Sequence, residues 1–125
     1  MNEALIVAGA VAVATGLFHI YAGERYIIAP IRPSDLPSTQ AGDGAATKRM
    51  LRGISHFWGV SWLAAAALFF LLADGHLDSD GQAAVRVVAA TFALYAVVIA
   101  VAFRGRHPGW PAFSVIAIAA WWGTV

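Results

Sequence analysis

A chain of 125 residues is one domain at most. Its residues are 60% hydrophobic and only 12% charged, against about a quarter charged in ordinary soluble domains, and a water-soluble chain this short has too little interior to hide that much apolar surface. A net charge of +1 without a basic, aromatic-laced polar face argues against nucleic acid, and the lack of cysteine excludes disulfides, thiolate metal sites and cysteine nucleophiles.

Four apolar segments follow one another, at about residues 4–29, 47–73, 82–103 and 110–124. A spanning helix takes ~20 apolar residues, so the first three qualify. The fourth is short, and Trp121 and Trp122 would stand at its far interface. The fold class expected is all-α, a four-helix transmembrane up-and-down bundle forming a single membrane domain over residues 1–125.

The first segment has no positive stretch ahead of it, only Glu3, and it is too long for the apolar core of a secretion signal. It therefore reads as a retained span. Ala4, Ala8, Ala12 and Gly16 recur every four residues along it, a flat stripe that lets helices approach closely. Its second half, Gly16 to Pro30, takes in His19, Tyr21, Glu24, Arg25 and Tyr26 before the proline ends it.

Residues 31–46 form the one long loop, rich in turn residues, with Pro33, Pro37, Gly42 and Gly44. Asp43 is placed to cap the second helix, whose first turns carry Lys48, Arg49 and Arg52. The next connection is short and acidic, and Asp80 is the expected N-cap of the third helix. That helix carries a second small stripe, Ala89, Ala93, Ala96 and Ala100. A tight Arg104-to-Gly109 turn leads to the fourth, with Pro111 where a first-turn proline is tolerated.

Alternating spans divide the loops between two sides. Of the eight Lys and Arg, seven (Arg25, Arg32, Lys48, Arg49, Arg52, Arg104 and Arg106) fall on one side, and Arg86 alone on the other. By the positive-inside rule the seven face the cytoplasm of a bacterial inner membrane, and both termini face away from it. Arg25, Arg32, Lys48 and Arg49 are suited to anionic headgroups.

Ionisable groups at the margin of a hydrocarbon layer need partners. At α-helical spacing His19, Gly23 and Tyr26 share a face, as do Arg49, Arg52 and His56. Glu24 and Arg25 diverge around the helix, so Glu24 needs a cation from elsewhere: Arg52 first, Arg106 second. His19 and His56 each sit ~15 Å in from their helix ends, at matching depth. The polar cluster expected is His19, Glu24, Arg25, Arg52, His56 and His107. Its simplest reading is an interhelical tie, with His107 at the interface and Trp58, Trp62 and Trp110 as belt or packing residues.

The sharper reading gives His19 and His56 to haem or a transition metal, since imidazoles with a carboxylate suit such ions. No His-x-x-x-His or His-Glu-x-x-His spacing supports it. No serine has a matching base, no glycine-rich phosphate loop follows a strand, and no two carboxylates stand at helical spacing within the spans. No catalytic residue is assigned, and the residues leave enzymatic activity open while weighing against it.

Two families bear comparison. The small multidrug-resistance exporters share the size and four short spans, but their activity rests on a glutamate in the middle of the first helix. Here Ala8 to Gly16 holds no acid and Glu24 lies at the interface, which argues against drug–proton exchange. The chain more closely resembles an uncharacterised family of small bacterial four-span integral membrane proteins. The matching features are His19-x-x-x-Gly23-Glu24-Arg25, His56-x-Trp58, Gly105-Arg106-His107 and Trp110-Pro111. The resemblance implies a four-span fold with His19, Glu24, His56 and His107 as the cluster to test, and it carries no activity. The expected role is an interaction or accessory subunit in the lipid bilayer, as a homo-oligomer or in a larger membrane assembly. A haem- or metal-binding redox component and a small proton-coupled transporter with Glu24 as its coupling carboxylate are the alternatives.

Overall fold

The computed structural model describes residues 1–40 and 42–125. Among them the chain is all-α. The helix α1, Glu3–Ala22, runs without a break into a π-helical stretch, Gly23–Ile28. Helices α2 (Gly44–Ala73), α3 (Ser79–Ala102) and α4 (Gly109–Trp122) follow. The continuous Glu3–Ile28 helix, α2 and α3 are each long and apolar enough to cross a membrane, and α4, at 14 residues, is shorter. Both α2 and α3 start a few residues before the apolar runs, because polar caps and first turns carry them out of the hydrophobic stretch.

Local chemistry sets the helix ends. Asp43 Oδ1 accepts the Ala46 N–H at 3.0 Å at the head of α2. At the head of α3 the cap is Asp78, not Asp80: Asp78 Oδ1 accepts the Gly81 N–H at 2.8 Å from an extended backbone. Asp80 lies inside the first turn, where its charge still complements the helix dipole. Helix α3 stops because Arg104 and Gly105 take positive φ, 51° and 73°. The Gly105 N–H returns to the Ala100 carbonyl at 2.7 Å, closing the helix end and reversing the chain into α4.

The chain divides into two compact units, each with its own packing. One comprises Met1–Thr15 and Trp62–Val125 and holds the hydrophobic core. Leu5, Ala8 and Ala12 come from α1; Trp62, Ala66, Phe69 and Ala73 from α2; Val85, Ala89, Phe92 and Ala96 from α3; Phe113, Ile116, Ala117 and Ala120 from α4. The alternating three- and four-residue steps are the seam of antiparallel helices packing side by side. Aromatic rings interlock among the small residues: Trp62 meets Phe113 edge-on at 4.8 Å, and Phe113 also touches Phe92 and Tyr95. The α1 stripe is buried at Ala8 and Ala12, whereas Ala93 in the α3 stripe faces outward. In a bilayer, where helices have little hydrophobic drive toward one another, this interdigitation would carry the association.

Hydrogen bonds at one end of this unit fix the strand-like alternation of helix direction. Asn2 donates its N–H to the Ala73 carbonyl at 2.7 Å and its side-chain amide to the Gly123 carbonyl at 2.7 Å. Arg86 donates from Nε to Thr124 Oγ1 at 3.0 Å and from Nη2 to the Thr124 carbonyl at 3.2 Å. The start of α1 therefore meets the ends of α2 and α4, and the start of α3 meets the end of α4, the up-and-down arrangement.

The other unit, Gly16–Ser61, contains the second half of the first helix, the loop and the first half of α2. Its helices approach closely at Gly59, where an added Cβ would strike Ile20 and lie 3.1 Å from the Gly16 carbonyl. The loop is fastened to α2 by Thr47 Oγ1, which donates to the Pro37 carbonyl at 2.9 Å. A three-residue 3-10 turn, Pro33–Asp35, is clipped by Arg32, whose guanidinium reaches both Asp35 oxygens at 2.9 and 3.2 Å.

Candidate polar site

Glu24 stands in the π-helical stretch, and that register determines what it meets. A π-turn bonds each N–H five residues back instead of four. The Ala29 N–H accordingly donates to the Glu24 carbonyl at 2.8 Å. Burial follows the same step: Gly23 and Ile28 are buried, while Ile27 is 63% exposed. The α-helical face of His19, Gly23 and Tyr26 does not form, since Tyr26 is 67% exposed. It stacks edge-on with Tyr21 instead, five residues back.

From that register Glu24 reaches across to α2. Arg52 donates from Nε to Oε2 at 2.9 Å and from Nη2 to Oε1 at 2.8 Å, a two-pronged pair. His56, one turn further along α2, brings Nε2 to 3.4 Å from Glu24 Oε2 without a hydrogen bond between them. Side-chain exposures of 33% for Glu24, 40% for Arg52 and 37% for His56 put the three at the margin of the unit, not in its centre. The approach is permitted by Gly23, where a Cβ would come within 2.9 Å of Ser55 Oγ.

Lys48, read from the sequence as a membrane anchor, has a structural task as well. Its Nζ donates to the carbonyls of Ala29 and Ile31 at 3.1 and 2.6 Å. A lysine from α2 thereby satisfies carbonyls left open where the first helix ends, and its charge suits that end of the dipole. No sequence spacing announces this, because the contact depends on how the intervening loop folds.

The remaining expected site residues are placed as follows. His19 is half-buried, with Nε2 closed off from the surface. Arg25 is exposed, its guanidinium 6.0 Å from the Tyr26 ring centre. His107 is exposed and acts locally: Nδ1 accepts the Gly109 N–H at 2.9 Å at the head of α4, and the ring lies 4.9 Å from that of Phe103. Trp62 is a core residue, and Trp110 donates Nε1–H to the Gly105 carbonyl at 3.0 Å, bracing the turn. Trp58 is 43% exposed on α2.

Chemically, the Glu24 carboxylate is paired with a guanidinium and flanked by one imidazole. Each oxygen accepts one hydrogen bond from Arg52, so the arrangement first of all holds the two helices together. Among the described residues no three His, Asp or Glu side chains gather closely enough to hold a metal ion. Comparison of the chain with protein-family models, with curated proteins and with solved structures returns no match.

Proposed function

We propose that the chain is a small integral membrane protein of the bacterial inner membrane, with both termini on the non-cytoplasmic side. Its Glu24–Arg52–His56 cluster is a structural tie at the cytoplasmic rim, and its role is non-enzymatic, as an accessory or self-associating subunit of a membrane assembly. The observation that carries this is the two-pronged Glu24–Arg52 bond, which occupies both carboxylate oxygens. Membrane carboxylates that only join helices are held in this way. The test is a charge exchange. Glu24→Arg combined with Arg52→Glu should recover the membrane yield and thermal stability that each single change loses. Cross-linking of the purified protein in detergent should give a discrete multimer or a co-purifying subunit. A lone monomer with no partner overturns the subunit role.

The contact of His56 with the same carboxylate favours a second reading, in which Glu24 and His56 pass a proton during transport. Glu24→Gln decides between them: lost proton-coupled flux in a stably folded protein supports transport, and unchanged flux removes it. The redox reading rests on His19 and His56 alone. A visible absorption band from protein made in haem-supplied cells would support it, and a colourless, metal-free preparation would end it.

A further inference from the structure

A groove of about 430 Å³ runs along the outer face of α3 and α4. Ala89, Ala90 and Ala93 form one wall, and Ala117, Trp121 and Trp122 stand on the other. These walls offer methyl groups and ring faces, which suit a hydrocarbon chain.

A cation stands beside this groove. Arg86 lies one turn before Ala89 and Ala90 on α3, half-buried. Its guanidinium sits 5.6 Å from the ring centre of Trp121, the same tryptophan that lines the groove. Thr124 accepts from Nε and from Nη2, which pins the guanidinium in place. An arginine has five N–H donors, so both protons on Nη1 remain for another acceptor. Arginine presents such donors in a planar fork that matches phosphate oxygens.

We infer that this apolar groove, with Arg86 beside its Trp121, is a binding site for a phospholipid, with an acyl chain along Ala89, Ala90 and Ala93 and the phosphate on Arg86. The charge complementarity selects the occupant. A second copy of an apolar helix would fill the walls but leave the fixed guanidinium without an anion. A free phosphate would meet the guanidinium but leave the walls empty. The inference rests on the membrane reading above.

The experiment is native mass spectrometry of the protein extracted in mild detergent, with phosphatidylglycerol and its phosphate-free diacylglycerol as added probes. The wild-type protein should retain one phospholipid and bind diacylglycerol more weakly. Ala93→Phe, an exposed position where the ring fills the groove without touching the core, should abolish retention. Arg86→Gln should weaken phosphatidylglycerol about fivefold, the worth of one interfacial cation. Equal retention by wild type and Ala93→Phe overturns the site, as does a wild-type protein that keeps no lipid. Equal binding of the two probes overturns the role of Arg86. A dimer that Ala93→Phe dissociates, with lipid binding unchanged, gives the groove to a second copy and also overturns it. Protein that leaves the cell in the soluble fraction without detergent defeats the membrane reading instead, a separate result.

Discussion

Tyr21 and Tyr26 meet edge to face, ring centres 6.3 Å apart with planes at 89°, although five residues separate them. In an α-helix such a pair would point about 140° apart around the axis. The π-turn brings them together, and the same turn aims Glu24 at Arg52. A double-mutant cycle between Tyr21→Ala and Tyr26→Ala therefore reports the register. The expected coupling is about 0.5 kcal/mol, the low end for an exposed aromatic pair. Additive losses, measured by unfolding in bicelles, would mean that the segment is α-helical.

The charge exchange at Glu24 and Arg52 separates a tie from a reactive acid. Glu24→Arg leaves two cations facing one another beside His56, and Arg52→Glu leaves two acids. Each single variant should melt well below the wild type in a detergent thermal-shift assay. The exchanged pair should regain most of that loss, because a fork of two hydrogen bonds works in either direction, with His56 now beside an arginine as the residual penalty. A double variant no more stable than the worse single one would show that the positions, not the pairing, matter.

How much of this was legible in the sequence depends on what each feature is made of. Hydropathy reports long-range averages, so the four segments and three candidate spans could be read directly from it. The pairing of Glu24 with Arg52 followed from elimination, since Arg25 diverges and Arg52 shares a face with His56. The π-turn could not be read: Gly23–Ile28 is six residues, little more than one turn, too short for a period of four to be told from one of five. Its register is decided by Gly23 fitting against Ser55 and by Lys48 closing the helix end, both contacts made across the loop. The same limit explains His107. Its ring accepts from Gly109, a local use of the imidazole that the nearby Pro108 and Gly109 allow but do not announce.

Gly59 should be intolerant of even one added carbon. A Cβ there would press on Ile20 and on the backbone carbonyl of Gly16, and the carbonyl cannot rotate away. Gly59→Ala should cost about 1–3 kcal/mol, the usual range for overpacking. Gly53→Ala, on the same helix with open space around it, is the control and should be neutral or slightly stabilising. Equal stabilities for the two variants in the thermal-shift assay would deny the close approach of the helices.

The two aspartates at the head of α3 should behave differently although only one residue separates them. Asp78 accepts the Gly81 N–H and is the cap, so Asp78→Ala should cost about 0.5–2 kcal/mol. Asp80 offers only its charge near the dipole, so Asp80→Ala should cost at most about 0.3–1 kcal/mol, less at high salt. Hydrogen exchange at the Gly81 amide gives the sharper readout: it should accelerate in Asp78→Ala and not in Asp80→Ala.

Orientation can be tested cleanly because the chain has no cysteine of its own. Ser38 lies in the loop between the first helix and α2, and Ser79 at the head of α3; both are exposed, and one long helix separates them. If α2 crosses the bilayer, single cysteines at these positions must label from opposite sides. The distribution of arginine and lysine sets which side is which. Ser79→Cys should react with a membrane-impermeant maleimide on intact spheroplasts, and Ser38→Cys only after the membrane is opened. The reverse pattern would turn the protein over while keeping its spans. Labelling of both from the same side would mean that α2 does not cross, and then the Glu24–Arg52 pair would be a surface ion pair in water, where an exposed bridge contributes little.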